Sequence, residues 1–156
     1  MLRISKLTDY GTMILVHLAA HQGHLHSASD VAAGTRLALP TVQKLLKLLA
    51  RSDLIRSVRG AEGGYVLARA PGSISAADIL DVLEGPVGIT ECSTSDSRCE
   101  LEDGCPVGGA WQKINRGIRS ALAEITLADL AHPPREFTLV DLSGRAGRLR
   151  HRVPTS

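Results

Sequence analysis

The sequence predicts a mainly α-helical fold, and two observations point there before any element is placed. Hydrophobic residues make up 44% of the 156 residues but aromatics only 3%, so the core must be assembled from Leu, Ile, Val and Ala, the materials of packed helices rather than of a β-sandwich. The apolar residues also recur at helical spacing in several segments, with β-prone runs only around residues 54–68. The length allows one domain, or a small domain with an appendage.

The elements follow in order. Residues 6–21 place Leu7, Tyr10, Ile14, Leu15 and Leu18 on one side of a first helix, with Ser5 or Thr8 available as its N-cap. Ser27 followed three residues later by Asp30 has the form of a capping box and predicts a short second helix that Gly34 stops. Pro40 stands where a first helical residue belongs, because its missing N–H would be unpaired there, and a third helix continues to about Arg51. On that helix Val42, Leu45, Leu46 and Leu49 share one face, while Gln43, Lys44, Lys47 and Arg51 fall opposite. Two β-prone runs, 54–58 and 65–68, flank Arg59-Gly60-Ala61-Glu62-Gly63-Gly64, where glycines permit a tight reversal, so a hairpin is expected. Tyr65 is expected to pack at the base of that hairpin. Ser75 with Asp78 starts a fourth helix, continued by Ile79, Leu80, Val82 and Leu83 as far as Gly85. Residues 86–106 show no helical period and are expected as a loop. Beyond it Trp111, Ile114, Ile118, Ala121, Ile125 and Ala128 repeat in steps of three and four, with Leu122 beside them, which predicts one long helix from about Gly109 to Leu130.

Three helices followed by a hairpin with a basic, glycine-rich tip is the order of a winged helix-turn-helix. In such a domain the third helix lies in the major groove and the wing reaches flanking backbone or minor groove. The expected organisation is a winged domain at 1–85 with its wing at about 54–68, a cysteine loop at 86–106, a dimerisation helix at 107–131, and a basic tail at 132–156 that is expected to be mobile. On this reading Thr41, Gln43, Lys44, Lys47 and Arg51 face double-stranded DNA, and Arg59 with Gly60 presents the wing. The stripe of Trp111, Ile114, Ile118, Leu122 and Ile125 would be an aggregation hazard on a lone helix, so a homodimer on a pseudo-palindromic operator is expected.

Charge separates these regions. Residues 1–70 carry nine Lys/Arg against four Asp/Glu, 71–105 one against eight, and 106–156 eight against four, within a net charge of +2. The basic first block suits a polyanion, and the acidic middle block would be repelled from one. The longest apolar run, residues 13–20, is far short of the roughly 18 residues needed to span a bilayer, so no membrane association and a cytoplasmic location are expected. No strand-turn-helix elbow or oxyanion motif accompanies the Cys and His residues, which argues against an enzyme. His17 and His21, one turn apart, are expected as a surface or interface pair.

Cys92, Cys99 and Cys105 stand as C-x6-C-x5-C inside the loop, so three thiolates can converge on one point. Thiolates select zinc or iron-sulfur clusters. The absence of a C-x2-C knuckle speaks against zinc, while clusters accept wider spacing but usually take four ligands. Spacing alone leaves metal binding, a reactive thiol switch and unrelated free cysteines open.

Several motifs together resemble the Rrf2 family of winged-helix transcription regulators, whose members include IscR and NsrR. They are Leu2-Arg3-Ile4-Ser5-Lys6-Leu7-Thr8-Asp9-Tyr10-Gly11, the wing from Val58-Arg59-Gly60 through Gly63-Gly64-Tyr65, residues 79–85, and the three-cysteine loop followed by a helix with Trp111. The likeness covers about 1–131 and is similar above all to the branch that regulates the SUF iron-sulfur assembly operon, on Leu83-Glu84-Gly85-Pro86, Thr90-Glu91-Cys92 and Cys105-Pro106-Val107. It implies a repressor that senses iron-sulfur status through a cluster, 2Fe-2S or 4Fe-4S, on Cys92, Cys99 and Cys105. The alternative is the same fold using its cysteines as a redox, nitric-oxide or zinc switch. The sequence departs from the pattern in three places. Gly108 stands where the IscR pattern has a histidine three residues after the last cysteine, the first cysteine gap is x6 rather than x5, and the wing carries Glu62 where a small residue is common. For the open fourth position the resemblance to NsrR-like members implies Asp9 of a partner subunit, with Glu100, Asp103 or an external thiol as competing donors. Asp9 could equally serve only the N-terminus of its own helix.

Overall fold

The computed structural model describes residues 4–60, 62–86, 88 and 105–132. Helix α1 (Lys6–Ala20) starts where the Ser5 hydroxyl accepts the Thr8 N–H at 3.2 Å. Its buried face runs through Gly11, Ile14, Leu15 and Leu18, with Leu7 and Tyr10 half-buried against the same core. Helix α2 (Ala28–Thr35) begins on the expected box, in which Ser27 and Asp30 cap each other's backbone N–H groups. It continues past the expected stop at Gly34 to Thr35, and Arg36 caps it in the left-handed region (φ 58°). Gly34 instead makes room for the first helix, because a Cβ there would collide with the His17 ring of α1.

Helix α3 (Leu39–Arg51) carries Pro40 in its second position, where the amide is still one of the unpaired first-turn donors. Val42, Leu45, Leu46 and Leu49 are completely buried. With Ile14, Leu15, Val31, Leu54 and Ile55 they form one core, in which each fully buried Leu or Ile contributes roughly 1.5–3 kcal/mol. The wing is an antiparallel pair, β1 (Ile55–Val58) and β2 (Gly64–Leu67), in register from Ile55 opposite Leu67 to Val58 opposite Gly64. Gly60 turns the chain at φ 126° and its carbonyl accepts the Gly63 N–H at 3.0 Å. Tyr65 sits half-buried against the core, as expected. It also exchanges two backbone hydrogen bonds with His26 (3.1 and 2.8 Å), so the α1–α2 connection adds a bridge to the far edge of the wing.

A single 3-10 turn (Pro71–Ser73) leads to α4 (Ala76–Leu83), which starts on the Ser75–Asp78 box. Helix α5 (Gly108–Glu124) then packs on α4, where Arg119 grips Asp81 through two hydrogen bonds of 2.8 and 2.5 Å. The expected single helix to Leu130 does not form. Ile125 is extended (φ −88°, ψ 121°), and a Thr126–Asp129 capping box starts a separate helix, α6 (Leu127–Ala131). A tertiary anchor holds the break: Ala76 N–H donates to Ile125 O at 2.8 Å, Leu127 N–H donates to Ile74 O at 2.7 Å, and Leu127 is completely buried. Helix α6 thereby returns to the core and lies on α1 and the 3-10 turn. No helix among the described residues is long and apolar enough to cross a membrane. The tail expected to be mobile lies, from residue 133 on, outside the described residues.

Candidate nucleic-acid interface and cysteine site

The buried stripe of α3 fixes the opposite face toward solvent. Gln43, Lys44, Lys47 and Arg51 are exposed, and all four line one open groove of about 420 Å³ whose walls include Leu7 of α1 and Pro40. Three cations around a shallow groove beside an apolar wall form an anion-attracting surface without a carboxylate in its lining. Thr41 is half-buried on the same helix and does not line the groove. Arg59 and Gly60 are exposed at the tip of the wing. A Cβ at Gly63 would collide with the Val58 carbonyl, so the close approach of the two strands at the tip requires glycine there. Helix α3 packs on both β1 and α1, which makes the groove and the root of the wing parts of one packed body.

Of the cysteines, Cys105 is described, and it is free and half-buried just before α5. Its carbonyl accepts the Gly108 N–H at 3.3 Å, and its sulfur lies 3.7 Å from where a Gly108 Cβ would stand. Position 108 is therefore beside the sulfur, and glycine offers no donor from it. Cys92, Cys99, Glu100 and Asp103 lie outside the described residues. Among the described residues no three His, Cys, Asp or Glu side chains converge as a metal site. Asp9 is exposed in the first turn of α1.

A contact that sequence reasoning missed joins this region to α1. Glu84, the residue that caps α4 and precedes the cysteine loop, accepts hydrogen bonds from the Ser5 N–H (2.9 Å) and the Thr8 hydroxyl at the start of α1. The Ser5 side chain first, then the Thr8 hydroxyl and the Ser5 N–H, hold its carboxyl below the usual carboxylate range. The neighbouring Leu83 fills a notch at Gly11, where a Cβ would stand 2.6 Å from Leu83 Cδ1. Glu84 and Ser5 are 79 positions apart, so no local pattern announces the pair. Gly11 within an amphipathic helix was the one available signal of a close approach.

The predicted stripe on α5 is open. Trp111 is 39% and Ile114 46% exposed, and Ile118 and Leu122 are half-buried. Ile125 departs from the stripe, because it caps α5 in extended backbone and its carbonyl is bonded to Ala76.

Comparison with known proteins places this geometry. The Rrf2 family model, described as an iron-dependent transcriptional regulator, matches residues 4–133. The HTH-type transcriptional regulator CymR of Bacillus subtilis (strain 168) is 33% identical over 131 residues, covering 83% of this chain and 90% of its own. Its solved structure, described as that of the global cysteine regulator of B. subtilis, matches with a TM-score of 0.67 over 84% of this chain and 97% of CymR. The HTH-type transcriptional regulator IscR of Xenorhabdus nematophila is 26% identical over 155 residues, 98% of this chain and 92% of its own. The structure of T. potens IscR matches with a TM-score of 0.60 and 33% identity, covering 83% of this chain and 85% of that one. These relatives are transcription regulators and not enzymes.

Proposed function

The chain belongs to the Rrf2 family of winged-helix, DNA-binding transcription regulators, and we propose that it is a homodimeric repressor whose operator affinity answers to an iron-sulfur cluster on the cysteine loop. The observation that carries DNA binding is the cationic groove of Gln43, Lys44, Lys47 and Arg51 on the solvent face of α3. Lysines and arginines there neutralise phosphates and release counterions, and Thr41, Arg59 and Gly60 extend the contact to the groove edges and the wing. Two such surfaces, joined by Trp111, Ile114, Ile118 and Leu122 of two copies of α5, suit a pseudo-palindromic site. In this division of labour residues 1–85 read DNA, 86–106 hold the cluster, 107–131 join the copies, and the basic tail 132–156 adds positive charge.

The described part of the cysteine site fits a cluster. Cys105 is free and half-buried, and its backbone is fixed by the Gly108 N–H. Cys92, Cys99 and Cys105 would hold the group, with Asp9 of a partner subunit as the fourth donor, since Gly108 has no side chain to give. When bound, a cluster supplies oxidant-sensitive and iron-sensitive chemistry that a thiol alone lacks. The family description as iron-dependent supports this reading, and the genes proposed for control are those of SUF iron-sulfur assembly.

A second reading has its own support, because the relative CymR is described as a global cysteine regulator. There the three cysteines act as a redox, nitric-oxide or zinc switch. Anaerobic purification separates the two. The first expects coloured protein with iron and acid-labile sulfide, lost in Cys99→Ala and more short-lived in air in Asp9→Ala. Colourless, iron-free protein whose operator affinity changes with thiol oxidation supports the second. Equal cluster lifetimes for Asp9→Ala and the native chain remove Asp9 from the site and leave the three cysteines.

A further inference from the structure

Three imidazoles meet where α1 ends, at a place the DNA-binding and cysteine readings do not use. The ring centroids of His17 and His21 are 4.6 Å apart, those of His17 and His26 5.3 Å, and those of His21 and His26 5.4 Å. His17 is in the last turn of α1 and His21 caps that helix, whereas His26 comes from the connection to α2 and is itself the residue bonded to Tyr65 of β2. The pair expected at the surface thus belongs to a packed triad, in which His21 is exposed and His17 half-buried. The Nε2 atoms of His17 and His26 are buried without a hydrogen-bond partner, and His21 Nδ1 is bonded to the His17 carbonyl oxygen at 2.8 Å. Gly34 of α2 closes over the His17 ring, and Gly64 of β2 lies so near His26 that a Cβ would stand 2.7 Å from its carbonyl oxygen.

We propose that this triad is a proton-sensitive joint: with the rings neutral it holds the wing edge to α1, and on acidification it releases the His26–Tyr65 bridge. The cause is electrostatic. A second proton in the triad would set two like charges about 5 Å apart, with a buried Nε2 that no acceptor receives. Four groups face the joint. His17 lies on α1, His21 caps it, His26 is on the connection and Asp30 on α2, while β2 contributes Tyr65 through its backbone. Asp30 is the one carboxylate acting on His17, and both the hydroxyl and the N–H of Ser27 bind its Oδ2, at 2.7 and 2.9 Å. Burial first, then His21 and His26, lower the basicity of His17 below the ordinary 6.5, and Asp30 opposes them more weakly. A base whose folded pKa is depressed contributes stability that is present above the unfolded value and lost as pH falls through the folded one. The window for release therefore opens below pH 6.5. As placed, the three rings do not present their donor atoms to one metal site, and the response proposed is to protons.

The proposal is tested by amide hydrogen exchange on the full chain in metal-free buffer, corrected for the intrinsic pH dependence of exchange. Between about pH 7.5 and pH 5.5 the His26 and Tyr65 amides should lose protection at least about fivefold, while the buried amides of Leu45 and Leu46 keep theirs. His17→Gln should abolish that acid sensitivity. His21→Gln, at an exposed position that leaves folding intact, should reduce it by removing one like charge. Unchanged protection of the bridge in the native chain overturns the proposal, as does an equal acid response in His17→Gln and His21→Gln. Stoichiometric zinc uptake at neutral pH, lost in both variants, also overturns it, by making the triad a cation site.

Discussion

The winged domain and helix α5 treat their apolar residues in opposite ways. In α3, Val42, Leu45, Leu46 and Leu49 are all completely buried, and the polar face looks outward. In α5, a longer helix with an apolar stripe of its own, only Gly108 and Asn115 are buried, and Trp111 and Ile114 stand open. Both helices are amphipathic, so amphipathicity alone does not tell which face is satisfied within one chain. The core of the winged domain is closed within one chain, with Leu127 of α6 returning to it, whereas α5 keeps an open apolar face of the kind that a second copy would cover.

The sharpest way to break that contrast is to cut into each side of it. Leu46→Ala should cost about 2–5 kcal/mol of folding stability, read by denaturant unfolding, because it opens a cavity at a completely buried position. Ile114→Asp combined with Ile118→Asp should leave the fold intact and yield monomers in sedimentation, with the dimer dissociation constant raised at least about 30-fold. An intact dimer in that variant would remove α5 from the interface. On the DNA side, Arg59→Ala should weaken operator binding by about 1–3 kcal/mol, and Lys47→Ala should reduce the salt dependence of binding by about one ion. Native-like titrations for both would detach the groove and wing from DNA. The link between the regions should matter least to stability: Arg119→Ala removes a half-exposed pair with Asp81 and should cost at most about 1 kcal/mol in the same unfolding measurement. Glu84 adds a pH signature. Its carboxyl is held below the ordinary 4.5, so its hold on Ser5 and Thr8 is present above that value and fades as pH falls through the lowered one, and Glu84→Gln should lose this acid step in unfolding.

Elements with local signals were legible. The Ser27–Asp30 and Ser75–Asp78 boxes, the burial stripe of α3 and the glycine-bounded wing appear where the sequence places them, because caps, periodicity and turns act within a few residues. The break before α6 had a local signal too, since Thr126 and Asp129 form a capping box. Steps of three and four nevertheless continue across it, and periodicity alone favours one helix.

The sequence by itself determined the winged order, the cationic face of α3, and the stripe on α5, since each is written in spacing along one element. Only the tertiary structure decided that Leu127 turns back into the core, that Glu84 reaches the start of α1, and that His26 joins His17 and His21. The first two join residues distant along the chain, and the third joins side chains on either side of the turn that ends α1. What selects them is the free energy of closing the whole core, to which no single segment holds the key.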